Sequence, residues 1–196
     1  MNPSSLDSQL FLKINGYVGQ VPIIDNTVKI VVNEYVIPVS LALLILYLWF
    51  AKSPQIKTKR QSLSLAVLSV GLVNLIIVLL NQFIIRPRPF DQLPTKLLFY
   101  KPTDPSFPSN AAAVSFALAT AIFLVNRKLG VFALLLAILY SFSRVYAGVH
   151  FPGDVVSGAV IGILSTILVS RFQPMVKFLT DFIERAQKNL KLNLDS

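Results

Sequence analysis

Three short stretches hold the residue types that can bind and attack an anion. "SRVYAGVHFPGD", residues 143–154, carries Arg144, then His150, then Asp154 four residues further on. "NQFIIRPRPF", residues 81–90, ends an apolar run on Arg86 and Arg88. "FPSNAAAVSF", residues 107–116, hands a loop over to a helix through Pro108, Ser109 and Asn110. Free backbone N–H groups at such a helix start face an anion well. A proton donor is expected beside them, and Ala111 stands there instead.

Each residue also has a plainer reading. Arg86 and Arg88 suit interfacial anchoring, and Arg144 can snorkel to a surface. Burying an arginine at the end of an apolar segment is costly, however, so such a residue usually faces a cavity or a partner. Asp154, two residues after Pro152, also favours the dipole of a new helix. Ser109 and Asn110 are good caps whatever else they do.

The elements that must position these groups are apolar helices. Of 196 residues, 54% are hydrophobic and only 14% charged, and the mean hydropathy is +0.66. A soluble domain carries nearer a quarter charged residues. The chain is therefore read as an all-α integral membrane protein. The first of five expected spans ends in "EYVIPVSLALLILYLWF" and bends near Pro38; the others cover residues 63–85, 109–126, 129–149 and 152–172. Each has about 18 to 23 residues, enough for a hydrocarbon layer of ~30 Å. Residues 1–34 form an interfacial amphipathic segment with Leu6, Leu10, Phe11, Ile14 and Tyr17 on one stripe; residues 35–172 are the membrane domain; residues 173–196 are a basic amphipathic tail.

With no Cys and one His, the chain offers neither disulfides nor thiolate or His-rich metal sites. The net charge of +9 does not mark a nucleic-acid face, because the basic residues gather at the ends of apolar blocks. Eleven of the 18 Lys and Arg fall on one side, which is assigned to the cytoplasm. All three polar stretches then meet on the opposite, outer face.

The spacing Ser143-Arg144, five residues, His150, three residues, Asp154 resembles the third signature of the type 2 phosphatidic acid phosphatase (PAP2) superfamily. "NQFIIRPRPF" resembles its first signature and "FPSNA" its second. The overall pattern is most similar to bacterial undecaprenyl-diphosphatases of the bacitracin-resistance type. That resemblance implies a metal- and cofactor-independent lipid phosphatase of the bacterial inner membrane, with its site on the periplasmic or outer side. The implied reaction converts undecaprenyl diphosphate to the monophosphate, recycling the carrier for cell-wall synthesis. His150 is then the nucleophile that forms a phosphohistidine, Asp154 orients its ring, and Arg144 and Arg88 hold phosphoryl oxygens. Ser109 and Asn110 complete the cradle.

Two positions depart from the family pattern. Asn81 occupies the lysine slot of the first signature, which shifts phosphate binding toward Arg86 or Lys101. Ala111 occupies the general-acid histidine slot and is read as an inactivating substitution. The alternatives are another PAP2 lipid phosphatase, acting on phosphatidylglycerol phosphate, phosphatidic acid or lipid A phosphate, or a non-catalytic binder or transporter of such lipids. Sequence sets no oligomeric state.

Overall fold

A computed structural model describes residues 5–52 and 56–189. Among these residues the regular structure is entirely helical: α1 Leu6–Asn15, α2 Pro22–Val31, α3 Val36–Phe50, α4 Ile56–Phe83, α5 Pro89–Gln92, α6 Asn110–Val125, α7 Arg127–Tyr146, α8 Pro152–Arg171 and α9 Gln173–Asn189. Helices α4, α7 and α8 are long and apolar enough to cross a membrane, and α2 with α3 passes the same test as one span bent by 53°. The third expected span, residues 109–126, is α6, which is apolar but has only 16 residues.

The bend lies between Val31 and Val36, upstream of Pro38. Pro38 sits in the first turn of α3, where its missing N–H costs no intrahelical hydrogen bond. The sequence-based boundary at residue 34 falls in the bend between α2 and α3.

Helix α6 forms the centre, packed against α3, α4, α7 and α8. Its alanines make this possible: Ala112, Ala113, Ala117, Ala119 and Ala121 are fully buried. The closest seam is with α8. A Cβ added at Gly158 would lie 2.3 Å from the Ser109 carbonyl oxygen, and one at Gly162 would lie 2.2 Å from that of Ala113. Two glycines four residues apart thus let two backbones touch, as small residues do in membrane helix pairs. The contact sets the start of α8 beside the start of α6, where the Ser109 N–H donates to the Asp154 carbonyl oxygen at 3.0 Å.

Helix α1 lies over the turn between α7 and α8. Ser8, Phe11, Asn15 and Val18 face inward, while Leu6, Leu10 and Tyr17 of the apolar stripe are exposed. Polar demands decide this orientation. Asn15 Nδ2 donates to the Lys96 and Tyr146 carbonyls at 2.8 and 2.9 Å, and Asn15 Oδ1 accepts from the Lys96 N–H at 2.9 Å. Turning Leu10 inward would leave those backbone groups unpaired.

At the opposite end, α9 folds back on α4. Arg60 pairs with Glu184 at 3.2 Å, Trp49 Nε1 donates to Gln187 Oε1 at 3.0 Å, and the Ser64 and Thr180 hydroxyls lie 2.7 Å apart. The basic tail and the clusters around Lys57 to Arg60 and Arg127–Lys128 therefore share the end remote from His150. The last residues of the expected tail, 190–196, lie outside the described residues.

Candidate active site

Helix α7 runs apolar until Arg144 and then turns sharply. Gly148 has φ +90°, a conformation that other residues rarely adopt, and any Cβ there would lie 2.6 Å from Thr95 Cγ2. The turn delivers His150 to the interior with 2% of its surface exposed. Its Nδ1 is 2.9 Å from the Ser106 carbonyl oxygen and 3.8 Å from Asp154 Oδ2. A carbonyl only accepts, so this bond assigns the ring proton to Nδ1 and the lone pair to Nε2. Nε2 lies 3.3 Å from Arg88 Nη1.

Asp154 stands on the Nδ1 side of the ring, as the sequence reading has it, and shares that side with Ser106. The close partner of the imidazole is the Ser106 carbonyl rather than the carboxylate. Asp154 is fully buried and acts one step back, because Ser106 and the α8 start compete for its oxygens. Its carboxylate accepts from the Ser106 hydroxyl at 2.5 Å and from the Phe151 N–H at 3.0 Å, and it pairs with Arg86. Asp154 thereby fixes the loop that fixes the ring.

Arg86 belongs to that scaffold and not to the cavity. Its Nη2 donates to Asp7 Oδ2 of α1 at 2.6 Å, and the guanidinium lies 4.1 Å from the centre of the Phe151 ring. Asp7 in turn accepts from the Gly153 N–H at 2.8 Å. Arg88, two residues on, points the other way. Its Nε and Nη2 donate to Asp104, to the backbone oxygen and to Oδ1, each at 2.9 Å, and Nη1 donates to the Val149 carbonyl at 2.8 Å.

Arg144 is buried beside it, stacked 5.0 Å from the Phe99 ring centre. Its Nη1 donates to the Val32 carbonyl at 3.1 Å, and Nη2 is 3.9 Å from Glu34 Oε1. Its Nε is buried with no hydrogen-bond partner among the described residues. A buried donor left unmet in this way marks capacity for a ligand.

These side chains surround a cavity of about 270 Å³ lined by Arg88, Arg144, His150, Asn110, Ala111, Asp104, Glu34 and Tyr140, with Pro38 and Val114 at its apolar side. Of the expected residues, Arg88, Arg144, His150, Asn110 and Ala111 come together there. Ser109 is buried behind them, its hydroxyl accepting from the Ala112 N–H at 3.4 Å as the α6 cap. Asn81 and Lys101 do not line the cavity. Asn81 stays within α4, and Lys101 lies 5.6 Å from the Phe90 ring centre on a shallow surface depression.

Three residues escaped the sequence reading: Glu34, Asp104 and Ser106. Glu34 and Asp104 are two of only nine acids in the chain, and both flank apolar or basic stretches, which is a usable signal. Ser106 acts largely through its backbone oxygen, which no side-chain pattern reveals.

Burial pushes His150 down to about 4, with the charges of Arg88 and Arg144 adding to the fall and Asp154 opposing it. Burial also lowers Arg88, against the Asp104 charge. The Tyr100 hydroxyl donates to Glu34 at 2.5 Å, and that bond, helped by burial, pushes Tyr100 up to about 12. Among the described residues, no three His, Cys, Asp or Glu side chains gather as a metal-binding group. The arrangement offers a neutral imidazole nitrogen beside two guanidinium groups in a half-polar cavity, chemistry suited to a phosphoryl centre.

Comparison with known proteins places the chain in a family. Residues 62–178 match the PAP2 superfamily. The chain is 28% identical over 181 residues to "Undecaprenyl-diphosphatase BcrC" of Bacillus subtilis (strain 168), covering 92% of this chain and 91% of that one. It is 48% identical over 58 residues, 29% of this chain and 26% of the other, to "Lipid A 4'-phosphatase" of Bacteroides thetaiotaomicron. The crystal structure of Aquifex aeolicus LpxE superposes with a TM-score of 0.66 at 30% identity, over 85% of this chain and 96% of that one. The family match spans more than half of the molecule, and this chain, a multi-pass membrane protein, belongs to the PAP2 superfamily.

Proposed function

We propose that the protein is a membrane lipid phosphatase whose substrate is an isoprenoid diphosphate, undecaprenyl diphosphate. His150 Nε2 attacks the terminal phosphorus. A phosphorus–nitrogen bond forms as the bridging phosphorus–oxygen bond breaks, and the electron pair leaves with the lipid monophosphate. Water then attacks the phosphohistidine, releasing phosphate and returning the lone pair to Nε2. Arg88 and Arg144 neutralise charge on the phosphoryl oxygens, and Asn110 and the α6 start face the same cavity.

The observation that carries this reading is the Nδ1 contact with the Ser106 carbonyl, which leaves the Nε2 lone pair as the nucleophile beside Arg88. A lipid tail is supported by an apolar groove of about 410 Å³ lined by Ala42, Ile45, Leu46, Leu63, Ala66 and Leu118, among others. Pro38 and Val114 edge the cavity, and Ala42 and Leu118 edge the groove one helical turn further along α3 and α6. Head group and tail thus have adjoining places. The relative named undecaprenyl-diphosphatase supports the diphosphate over a monoester.

Ala111 lines the cavity with no group able to protonate a leaving oxygen. Loss of a general acid typically costs about 10²–10⁴-fold. A diphosphate suffers least, because its leaving group is already a phosphate monoester, whereas a monoester must expel an alkoxide. In this form the chain therefore binds its lipid and turns it over slowly. The site lies at the end remote from the basic clusters, which supports an outward-facing, periplasmic position in a bacterial cell membrane. The test is phosphate release by the Ala111→His protein from prenyl diphosphate, phosphatidylglycerol phosphate, phosphatidic acid and lipid A phosphate. Release is expected to be fastest from the prenyl diphosphate; no release from any of the four defeats the assignment.

A further inference from the structure

Arg88 and Arg144 both border the cavity, yet only one is open. Arginine has five N–H donors. In Arg88 the Nε bond to the Asp104 backbone oxygen and the Nη1 bond to the Val149 oxygen fasten the guanidinium to two carbonyls. Nη1 also meets His150 Nε2, and Nη2 is taken by Asp104 Oδ1 at 2.9 Å. The face of Arg88 that a phosphoryl group would use already holds a carboxylate. The Arg88 side chain is 3% exposed and the Asp104 side chain 61% exposed, so the acid is the partner with room to move. Glu34 plays no equivalent part at Arg144. It stands off at 3.9 Å and is engaged by the Tyr100 hydroxyl.

We infer that the Asp104 carboxylate is the resident anion of the Arg88 fork, an internal competitor that a phosphoryl ligand must displace before Arg88 can hold it. This rests on the proposed phosphoryl site. A terminal phosphate offers charge and several oxygens, so it can take the Arg88 Nη2 position and reach Arg144 at once, and it outcompetes a carboxylate that serves Arg88 alone. The backbone half of the Asp104 contact stays in place, so Arg88 remains aimed while its outer face changes partner. The cost of displacement is a property of the protein and is therefore the same for every anion that enters.

The experiment titrates full-length, detergent-solubilised protein and its Asp104→Asn variant with inorganic phosphate and with dimethyl phosphate at mildly alkaline pH, following ³¹P line broadening. Asn keeps the size and one acceptor but loses the charge. Both anions are expected to bind roughly 3- to 10-fold more tightly to the variant, by the same factor. Equal or weaker binding by the variant overturns the inference, since Asp104 would then only orient Arg88. A gain for phosphate much larger than that for dimethyl phosphate also overturns it, because the carboxylate would then repel from its place rather than vacate it. If neither protein binds either anion, the phosphoryl site itself fails and the inference falls with it; binding to both proteins without the common gain sinks the inference alone.

Discussion

Each end of the bundle buries an arginine, and the two are satisfied differently. Arg60, at the basic end, donates to Glu184 and to the Trp49 carbonyl and lies 5.5 Å from the Trp49 ring centre. Its job is to fasten α9 to α3 and α4. Arg144, at the other end, has one firm bond, a carboxylate at 3.9 Å and a buried Nε without a partner among the described residues. A buried charge whose hydrogen-bonding capacity is met holds structure together. One whose capacity is unmet is kept for something that arrives later, at a standing cost to the free protein.

That contrast can be broken most decisively by chemistry. In the Ala111→His background, His150→Ala is expected to lower phosphate release by at least about a thousandfold. Arg60→Met in the same background should leave turnover per folded molecule within about twofold; a collapse of activity there would erase the distinction between the two ends. Arg144→Lys keeps the charge and loses the fork, and we expect roughly 10- to 100-fold weaker kcat/KM from the missing bidentate contacts. Ser106→Ala removes the hydroxyl on Asp154 but not the carbonyl on His150. A fall of about tenfold in kcat with little change in KM would identify it as a positioning residue.

A titration sharpens the comparison further. His150 is the chain's one histidine, so its ring resonances need no assignment by mutation. The midpoint is expected at about 4, well below the ordinary value of 6.5. The folded state disfavours the proton, so the stabilising contribution is complete above pH 6.5 and is lost as pH falls from there through 4. A midpoint near 6.5 would mean that the ring is not enclosed beside the two arginines. The smallest effect is structural: Arg60→Met should lower the thermal midpoint by a few degrees, read by scanning fluorescence, while Arg144→Met lowers it less or raises it.

Sequence carried much of this arrangement. The spacing of Arg144, His150 and Asp154 is written in one strand of text because a helix end, a turn and a helix start follow one another. The alanine and glycine content of α6 and α8 was visible too. Other features needed three dimensions. Arg86 and Arg88 look equivalent in "RPRPF", yet their side chains go to opposite neighbours, one to Asp7 and Asp154 and the other to Asp104 and Val149. The inward face of α1 was not legible, because apolar periodicity counts greasy residues, whereas Asn15 answers to backbone groups 81 and 131 residues away.

The brevity of α6 has a consequence for where a lipid must travel. At 1.5 Å per residue its 16 residues rise only about 24 Å, against about 42 Å for the 28 of α4. The rise of α6 falls short of a hydrocarbon layer of ~30 Å, so the coil before it has to make up part of the depth, which irregular backbone can do where protein, not hydrocarbon, surrounds it. The match between this short helix and the bilayer then depends on membrane thickness, so thin or locally pinched membranes should ease the arrival of a phosphate at the α6 start and thick, stiff ones should slow it.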